Sequence, residues 1–289
     1  MLSGAPSVPL TYLDQNALIR LGLLARQAAF RKKLDAALTS GLTIIVSSWH
    51  LVETAHTDNL SKALELAEFI DSLNPSWLLE RWDIQRLDVE EDFNRFAGLN
   101  YPRKPRIATR SAAFASLSQT KDSPKFDIPS ANFVRQWIQH PEQLAVLDKT
   151  YENNVNSLIR LREIVKAGQL TNEIRRRVDE LIVQYALPTT TPAGLDVGRG
   201  LRIDYVQQVR IEVIPTLAIE TAISEHEWTA QGGADRNTLI DKMHLIAALP
   251  YVDEIVSEDK FFHSMYPIAK KTGHVRAVLM GNAEFLKRF

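Results

Sequence analysis

The chain has 289 residues, a formal net charge of −1 and no cysteine. This charge balance gives no overall attraction to nucleic acid, so binding of a polyanion would depend on local basic patches. The lack of cysteine excludes disulfides and thiolate metal sites, and it fits a reducing compartment.

The start of the chain and its hydropathy argue against a membrane protein. Met1 to Pro6 include no basic leader before a long apolar stretch, and nowhere do about 18 apolar residues run together. We therefore expect a soluble, cytoplasmic protein with no membrane partner. A hydrophobic content of 45% is enough for a substantial core.

The first third of the chain alternates short apolar runs with stretches of helical periodicity. Residues 8–13 and 43–46 predict strands, and the second run is β-branched throughout, as suits a strand buried on both faces. Helices are predicted over residues 15–38 and 48–70, the second beginning at a serine N-cap. Residues 77–82 fit a short or edge strand, and a helix is predicted over 89–96.

The middle of the chain has a different character. Residues 98–126 mix proline with lysine and arginine, which predicts a loop-rich basic segment. Residues 141–185 predict two amphipathic helices separated by Gly168. A further long helix is predicted over 203–229, with a bend at Pro215.

The last third returns to α/β alternation. Helices are predicted over 237–249 and 259–271, and strands over 253–257 and 275–280. With no internal repeat, these patterns predict one α/β domain over the whole chain. Its core comes from residues 8–97 and 203–280, and residues 98–202 form a largely helical insertion.

Four carboxylates stand where an apolar run gives way to a turn or a helix: Asp14, Glu53, Asp241 and Asp259. The carboxyl ends of parallel strands meet at one edge of a sheet, so these residues are expected to converge. Two unit charges about 4 Å apart repel by roughly 4 kcal/mol at an effective dielectric near 20, so such a group needs protons or a cation. Oxygen ligands select hard ions such as Mg²⁺ or Mn²⁺.

Three segments carry a resemblance to a known family. They are Tyr12-Leu-Asp-Gln-Asn16, the run from Ile45 to Glu53, and the stretch from Asp241 to Asp259. Together they resemble the PIN domain nucleases, over roughly residues 8–75 and 235–280. The interval between the second and third segments is much longer than in a minimal PIN domain, and the fourth acidic position offers both Glu258 and Asp259. We favour Asp259, two positions after the hydroxyl of Ser257.

The resemblance implies a three-layer α/β/α core with a central, mainly parallel sheet. It also implies that the four carboxylates are catalytic residues that hold Mg²⁺ or Mn²⁺. The expected activity is that of a metal-dependent nuclease, foremost a ribonuclease acting on RNA. Whether the chain works with a protein inhibitor or partner, as toxin nucleases do, stays open.

Further residues are candidates for supporting roles. His50 and His244 stand three residues from Glu53 and Asp241, so each is predicted to share a helix face with an acid and to orient it. The competing interpretation is a buried histidine hydrogen-bonded to backbone. Asn16 and Ser257 are further candidates to orient the carboxylates.

A basic cluster in the middle segment comprises Arg103, Lys104, Arg106 and Arg110. These side chains are candidates to bind substrate phosphates beside the acidic site. Charge runs are more often solvated loop, and that interpretation stays open.

Alternatives from other classes also remain. Taken singly, Asp14, Asp241 and Asp259 fit ordinary acids at helix starts. A haloacid-dehalogenase-like phosphatase would use Asp14 as nucleophile and Ser47 as a phosphate-binding hydroxyl, but Asn16 stands where that family has a second acid. The third interpretation is a non-catalytic binding or regulatory protein that keeps the PIN fold.

Overall fold

The computed structural model describes residues 9–57, 59–100, 102–108, 129–172, 175–176, 179–180, 183, 187, 199–229 and 236–289. The predicted role of Arg110 lies outside these residues. Among the described helices, none combines the length and the apolar character that a membrane span requires.

In the described part of the chain, six strands form one sheet in the order β4-β3-β2-β1-β5-β6. Their bounds are β1 Leu10–Leu13, β2 Thr43–Ser47, β3 Ser76–Leu78, β4 Ile107–Ala108, β5 Glu254–Val256 and β6 Val278–Met280. All neighbours are parallel except β3 and β4, which are antiparallel. The predicted mainly parallel α/β architecture is therefore confirmed, with an antiparallel strand added at one edge.

Alternating side chains send the strands' apolar residues to both faces of the sheet. Leu13, Ile44 and Val46 pack into one buried cluster, whereas Tyr12 and Ile45 pack into another on the opposite face. Helices cover both faces, so the sheet is the middle of three layers. The face of Leu13 is covered by α1 Gln15–Ala25, α2 Ala28–Thr39, α3 Ser48–Ala55, α4 Leu60–Ser72 and α6 Ser130–Gln139. The face of Tyr12 is covered by α5 Arg81–Phe96, α9 Pro215–Thr229, α10 Arg236–Ala248 and α11 Lys260–Lys270.

Other helices whose bounds the structure describes are α7 Pro141–Lys166, α8 Arg199–Gln208, a 3₁₀ turn over Ile211–Val213 and the short α12 Asn282–Leu286. The break predicted at Gly168 is present, because this glycine ends α7 with φ +67°, a conformation that glycine adopts without a Cβ clash. Residues 203–229 are not one bent helix. α8 stops at Gln208, and Pro215 is the first residue of α9, where its missing N–H costs nothing.

Two long helices predicted in the first third are each two helices. Residues 15–38 divide after Ala25, and residues 48–70 divide after Ala55, where Asn59 caps the next helix through its side chain. Each division lets the chain turn and lay two short apolar faces against the same side of the sheet.

Parts of the segment 98–202 belong to the core of the domain. β4 pairs with β3 at the sheet edge. α6 packs on α3 and α4, and its Phe133 and Val134 join the buried cluster of Leu13. Part of the segment predicted as a helical insertion therefore packs with the α/β core.

A buried ion-pair network, here called the Asp88 cluster, holds β4 in place. It consists of Asp88, Glu91, Arg106, Thr216 and Tyr251. Arg106 donates through Nε and Nη2 to Oδ1 of Asp88 at 3.1 and 2.7 Å, and through Nη2 to Glu91 at 2.8 Å. Tyr251 donates to the same oxygen, and the N–H and hydroxyl of Thr216 donate to Oδ2. The cluster ties α5, β4 and the starts of α9 and β5 together.

Candidate functional site

After β1 the chain continues to β2, which lies on one side of β1, and after β5 it continues to β6, which lies on the other side of β5. The direction of the strand order therefore reverses between the neighbours β1 and β5. Ligands of open α/β sheets bind at such a switch point, beyond the carboxyl ends of the strands. Asp14 follows β1 directly, and Asp259 follows β5 after a short turn. α3, which starts at the end of β2, carries Glu53, and α10 carries Asp241.

A pocket of 220 Å³ lies at this edge, and we call it the acidic pocket. It is lined by Asp14, Gln15, Asn16, Glu53, Asp241, His244, Asp259 and Phe262. The structure thus brings the four carboxylates predicted from sequence to one pocket, with Asn16 and His244 beside them. The residues come from both ends of the chain, which is why only the folded sheet places them together.

Asp14 and Asp259 each use one carboxylate oxygen to cap a helix. Oδ1 of Asp14 accepts the N–H of Ala17 at 2.6 Å, and Oδ1 of Asp259 accepts the N–H of Phe261 at 2.6 Å. Asp14 and Asp259 therefore do act as helix caps, the role that the sequence offers for each acid taken singly. It does not account for the second oxygen of Asp14, because Oδ2 is buried and has no hydrogen-bond partner among the described residues. Such an atom is costly unless a ligand satisfies it.

The acidic pocket disfavours ionisation of its carboxyl groups. Burial raises the pKa of Asp241 to about 7, and the nearby charges of Asp259, Glu53 and Asp14 add to the rise, against an opposing effect of His244. Burial also raises the pKa of Asp14, while the nearby Ser257 hydroxyl and the N–H of Ala17 oppose the rise. Repulsion of this kind is what a divalent cation relieves.

The two acids after β5 have different surroundings. Asp259 lines the acidic pocket, and the buried Ser257 hydroxyl accepts its N–H at 3.0 Å. Glu258 turns away and accepts the N–H of Asn282 at 2.6 Å, close to Gly281, where a Cβ would lie 2.8 Å from Oε1 of Glu258. Of the two acids, Asp259 is the one in position to bind a ligand.

His50 does not orient Glu53. It is fully buried, its Nδ1 accepts the N–H of Ser47 at 2.9 Å, and its Nε2 donates to the carbonyl of Leu13 at 2.8 Å. Burial lowers the pKa of His50 to about 4, so the ring is neutral. His50 therefore matches the competing interpretation of a buried histidine bonded to backbone, and it joins the end of β1 to the end of β2.

His244 faces Glu53 across the pocket, and it is also close to Asp241 on its own helix. Its Nε2 lies 3.4 Å from Oε2 of Glu53, and its Nδ1 contacts the hydroxyl of Tyr12. Tyr12 was missed in the sequence because an aromatic residue in an apolar strand reads as core. The alternation of side chains offered a signal, since Tyr12 stands two positions before Asp14. Burial raises the pKa of Tyr12 well above its usual value, so its hydroxyl keeps its proton.

Gln15 is a second residue that the sequence analysis missed. Its Nε2 donates to Thr54 at 3.0 Å, while its buried Oε1 has no hydrogen-bond partner among the described residues. Gln15 also lines a larger groove between α1 and α4, as Glu53 does, so the groove adjoins the acidic pocket.

The predicted substrate-binding arginines and lysine lie elsewhere. Arg106 is buried in the Asp88 cluster, so its guanidinium is not available to a phosphate. Arg103 pairs with Glu91 at 3.2 Å and Lys104 with Glu90 at 2.7 Å. The basic residues of this segment that the structure describes thus balance acids of α5, and they do not line the acidic pocket.

Ser47, which a haloacid-dehalogenase-like phosphatase would need for phosphate, is buried beneath the pocket. Its hydroxyl lies 3.2 Å from Nδ1 of His50 and 3.5 Å from Nδ1 of His244, and it is not part of the pocket lining. This position does not suit a hydroxyl that must reach a bound phosphate.

The side chains of the acidic pocket offer the oxygen ligands that a hard divalent ion prefers. They include four carboxylates and a buried aspartate oxygen that lacks a partner. In the part of the chain that the structure describes, no three His, Asp or Glu side chains are spaced to hold one ion as they stand. Binding of an ion therefore requires some of these side chains to rotate towards the others within the pocket.

Comparisons with models of known families, with curated proteins and with solved structures find no match to this chain. What the chain does is therefore inferred from its own residues.

Proposed function

We propose that the chain is a nuclease of PIN-like type that hydrolyses phosphodiester bonds of RNA with Mg²⁺ or Mn²⁺. One observation carries the proposal. Carboxylates from four separate elements line a single pocket at the switch point of the sheet, and one buried oxygen of Asp14 has no hydrogen-bond partner there. The cost of keeping these charges together is explained if they bind a cation.

The residues of the pocket have distinct parts in this proposal. Asp14, Asp241 and Asp259 would hold the ion, with Glu53 beside them. When bound, such an ion activates water and neutralises charge on the scissile phosphodiester. The helix-capping hydrogen bonds of Asp14 and Asp259 keep these two carboxylates in place. Glu53, next to His244, is in position to accept a proton from the attacking water.

The test is incubation of the protein with structured and unstructured RNA and Mn²⁺, analysed on a denaturing gel. We expect the wild type to cleave and Asp14→Asn to be inactive, because asparagine keeps the helix cap but removes the charge. The matched control is Asp253→Asn. Asp253 precedes β5 at the opposite end of the sheet, where it pairs with Arg276 at 2.5 Å, so this variant should cleave normally.

Equal cleavage by wild type and Asp14→Asn would refute the assigned site. Binding of RNA without cleavage by the wild type would instead favour the non-catalytic alternative. Single-stranded DNA in parallel reactions shows whether the 2′-hydroxyl of RNA is required.

A further inference from the structure

Beneath the acidic pocket, the ring of His244 is held from two sides. Nε2 lies 3.4 Å from Oε2 of Glu53, which is within ion-pair distance, and it makes no hydrogen bond among the described residues. Nδ1 contacts the hydroxyl of Tyr12. The Tyr12 side chain is 0% exposed and that of His244 4%, so water does not compete for either nitrogen.

These contacts select one tautomer of a neutral His244. A carboxylate can only accept, so the nitrogen that faces Glu53 carries the proton. Nδ1 then has a lone pair and accepts the hydroxyl proton of Tyr12, since a buried phenol is a donor that keeps its proton. The contact with Glu53 is long, at 3.4 Å, so without the Tyr12 hydroxyl the carboxylate alone would hold the proton on Nε2 less firmly, and in the other tautomer a lone pair would face the carboxylate.

The neighbouring His50 shows how firmly this interior selects tautomers. A backbone N–H donates to its Nδ1 and a backbone carbonyl accepts from its Nε2, so neither bond allows the alternative. Its ring lies edge-on to that of His244, with centroids 5.0 Å apart, and the Tyr12 ring lies 5.3 Å from His50 and 5.8 Å from His244. In His244, the hydroxyl of Tyr12 takes the part that backbone takes in His50, with the hydroxyl of Ser47 farther away at 3.5 Å from Nδ1.

We propose that Tyr12 is a positioning residue: its hydroxyl fixes His244 in the Nε2–H tautomer, which in turn fixes the Glu53 carboxylate in the acidic pocket. The consequence for ion binding rests on the proposed nuclease function. The tautomer itself does not.

The first experiment determines the tautomer of His244 directly and does not depend on catalytic activity. Long-range ¹H–¹⁵N correlation spectra of the histidine rings distinguish Nδ1–H, Nε2–H and imidazolium forms, and His244→Gln identifies the signals of this ring. We expect wild-type His244 to be Nε2–H at neutral pH, and Tyr12→Phe to show a mixture of tautomers or the Nδ1–H form. The control is Tyr205→Phe. Tyr205 is equally buried and donates to Asp92 at 2.9 Å in another cluster, so its loss should leave the His244 spectrum unchanged.

The second experiment measures Mn²⁺ affinity by calorimetry. Tyr12→Phe should weaken binding roughly tenfold, the lower end of what the loss of an outer-shell partner costs a metal site. The side-chain amide of His244→Gln can face Glu53 as a donor without help from Tyr12. In that background, adding Tyr12→Phe should therefore cause no further loss.

The outcomes separate the two proposals. A wild-type His244 in the Nδ1–H form, or a Tyr12→Phe spectrum identical to wild type, would overturn the role of Tyr12. Equal losses of Mn²⁺ affinity from Tyr12→Phe in the wild-type and His244→Gln backgrounds would also overturn it. If the wild type shows the Nε2–H form but binds no Mn²⁺, the nuclease proposal fails while the tautomer assignment stands.

Discussion

The acidic pocket and the Asp88 cluster both bury an aspartate, and they do so in opposite ways. The side chain of Asp88 is 1% exposed, yet both of its oxygens accept hydrogen bonds, and Arg106 neutralises its charge. Asp14 is 7% exposed, its neighbours are acids, and one of its oxygens has no partner. A satisfied buried charge holds a fold together, whereas one surrounded by like charges is retained at a cost to stability and points to a ligand.

The same substitution at these two positions gives the largest expected contrast. Asp88→Asn should lower the free energy of unfolding by about 3 kcal/mol, because it leaves the buried guanidinium of Arg106 without its main counter-charge. Asp14→Asn should leave the free energy of unfolding equal or higher, because the cap survives and repulsion falls. Urea unfolding of both variants and the wild type measures the difference. Similar losses in both variants would remove the distinction between the two regions.

This contrast also marks what the sequence could reveal. Asp14 and Asp259 were predictable because each stands just after a run that only a buried strand explains. The role of Arg106 was not, because its partners are 18 and 15 positions away on α5 and become neighbours only when β4 pairs with β3. Composition showed a basic segment. It could not show that acids of α5 neutralise the residues of that segment near β4.

The same limit applied to the fold. Strands β1, β2 and β5 were found because their apolar runs are short and bounded. The division between α1 and α2 was missed because Ala25-Arg26-Gln27 contains no proline or glycine. The core position of Phe133 and Val134 was missed because helical periodicity shows that one face is buried, but not what covers it.

Glu80 shows a third way to bury a carboxyl group, which is to keep its proton. Burial raises its pKa to about 8, with a smaller contribution from Asp83 and opposing effects of Trp49 and Arg81. The folded state therefore binds a proton more tightly than the unfolded chain, and the stabilisation is lost as pH rises from the ordinary pKa of 4.5 through the folded-state value. Over that window we expect the free energy of unfolding to fall by at most about 1.4 kcal/mol for each pH unit.

Urea unfolding across this pH window checks the prediction for Glu80. Glu80→Gln keeps a neutral side chain beside Ser48, so its stability should vary much less with pH than that of the wild type. If the two pH profiles run parallel, Glu80 is not the group that titrates.

The adjacent acids after β5, Glu258 and Asp259, allow a matched comparison of RNA cleavage rates. Asp259→Asn should reduce cleavage of RNA about a hundredfold or more, equivalent to at least about 2.7 kcal/mol in the transition state. Glu258→Gln should leave the rate within a factor of about two, because Glu258 contacts the backbone of α12 and does not line the pocket. Initial rates with excess Mn²⁺ make the comparison, and the reverse ranking would move the site by one residue.

The smallest expected effect is a gain of stability at Asp241. Its raised pKa means that the ionised carboxyl costs folding energy as pH rises from 3.8 to about 7. Asp241→Asn should therefore be more stable than the wild type above neutral pH, by about 1 kcal/mol once partial exposure is allowed for. Near pH 4 the gain should vanish, because the wild-type carboxyl then keeps its proton.

Asp253→Asn is the control for the gain at Asp241, since it removes an acid that pairs with Arg276 and accepts the N–H of Leu10 at 2.9 Å. It should lose stability at neutral pH. Mn²⁺ should stabilise the wild type more than Asp241→Asn, because only the wild type offers the full set of carboxylates. A loss of stability in Asp241→Asn at neutral pH would mean that this carboxylate is satisfied like Asp88, and the acidic pocket would then need no cation to account for it.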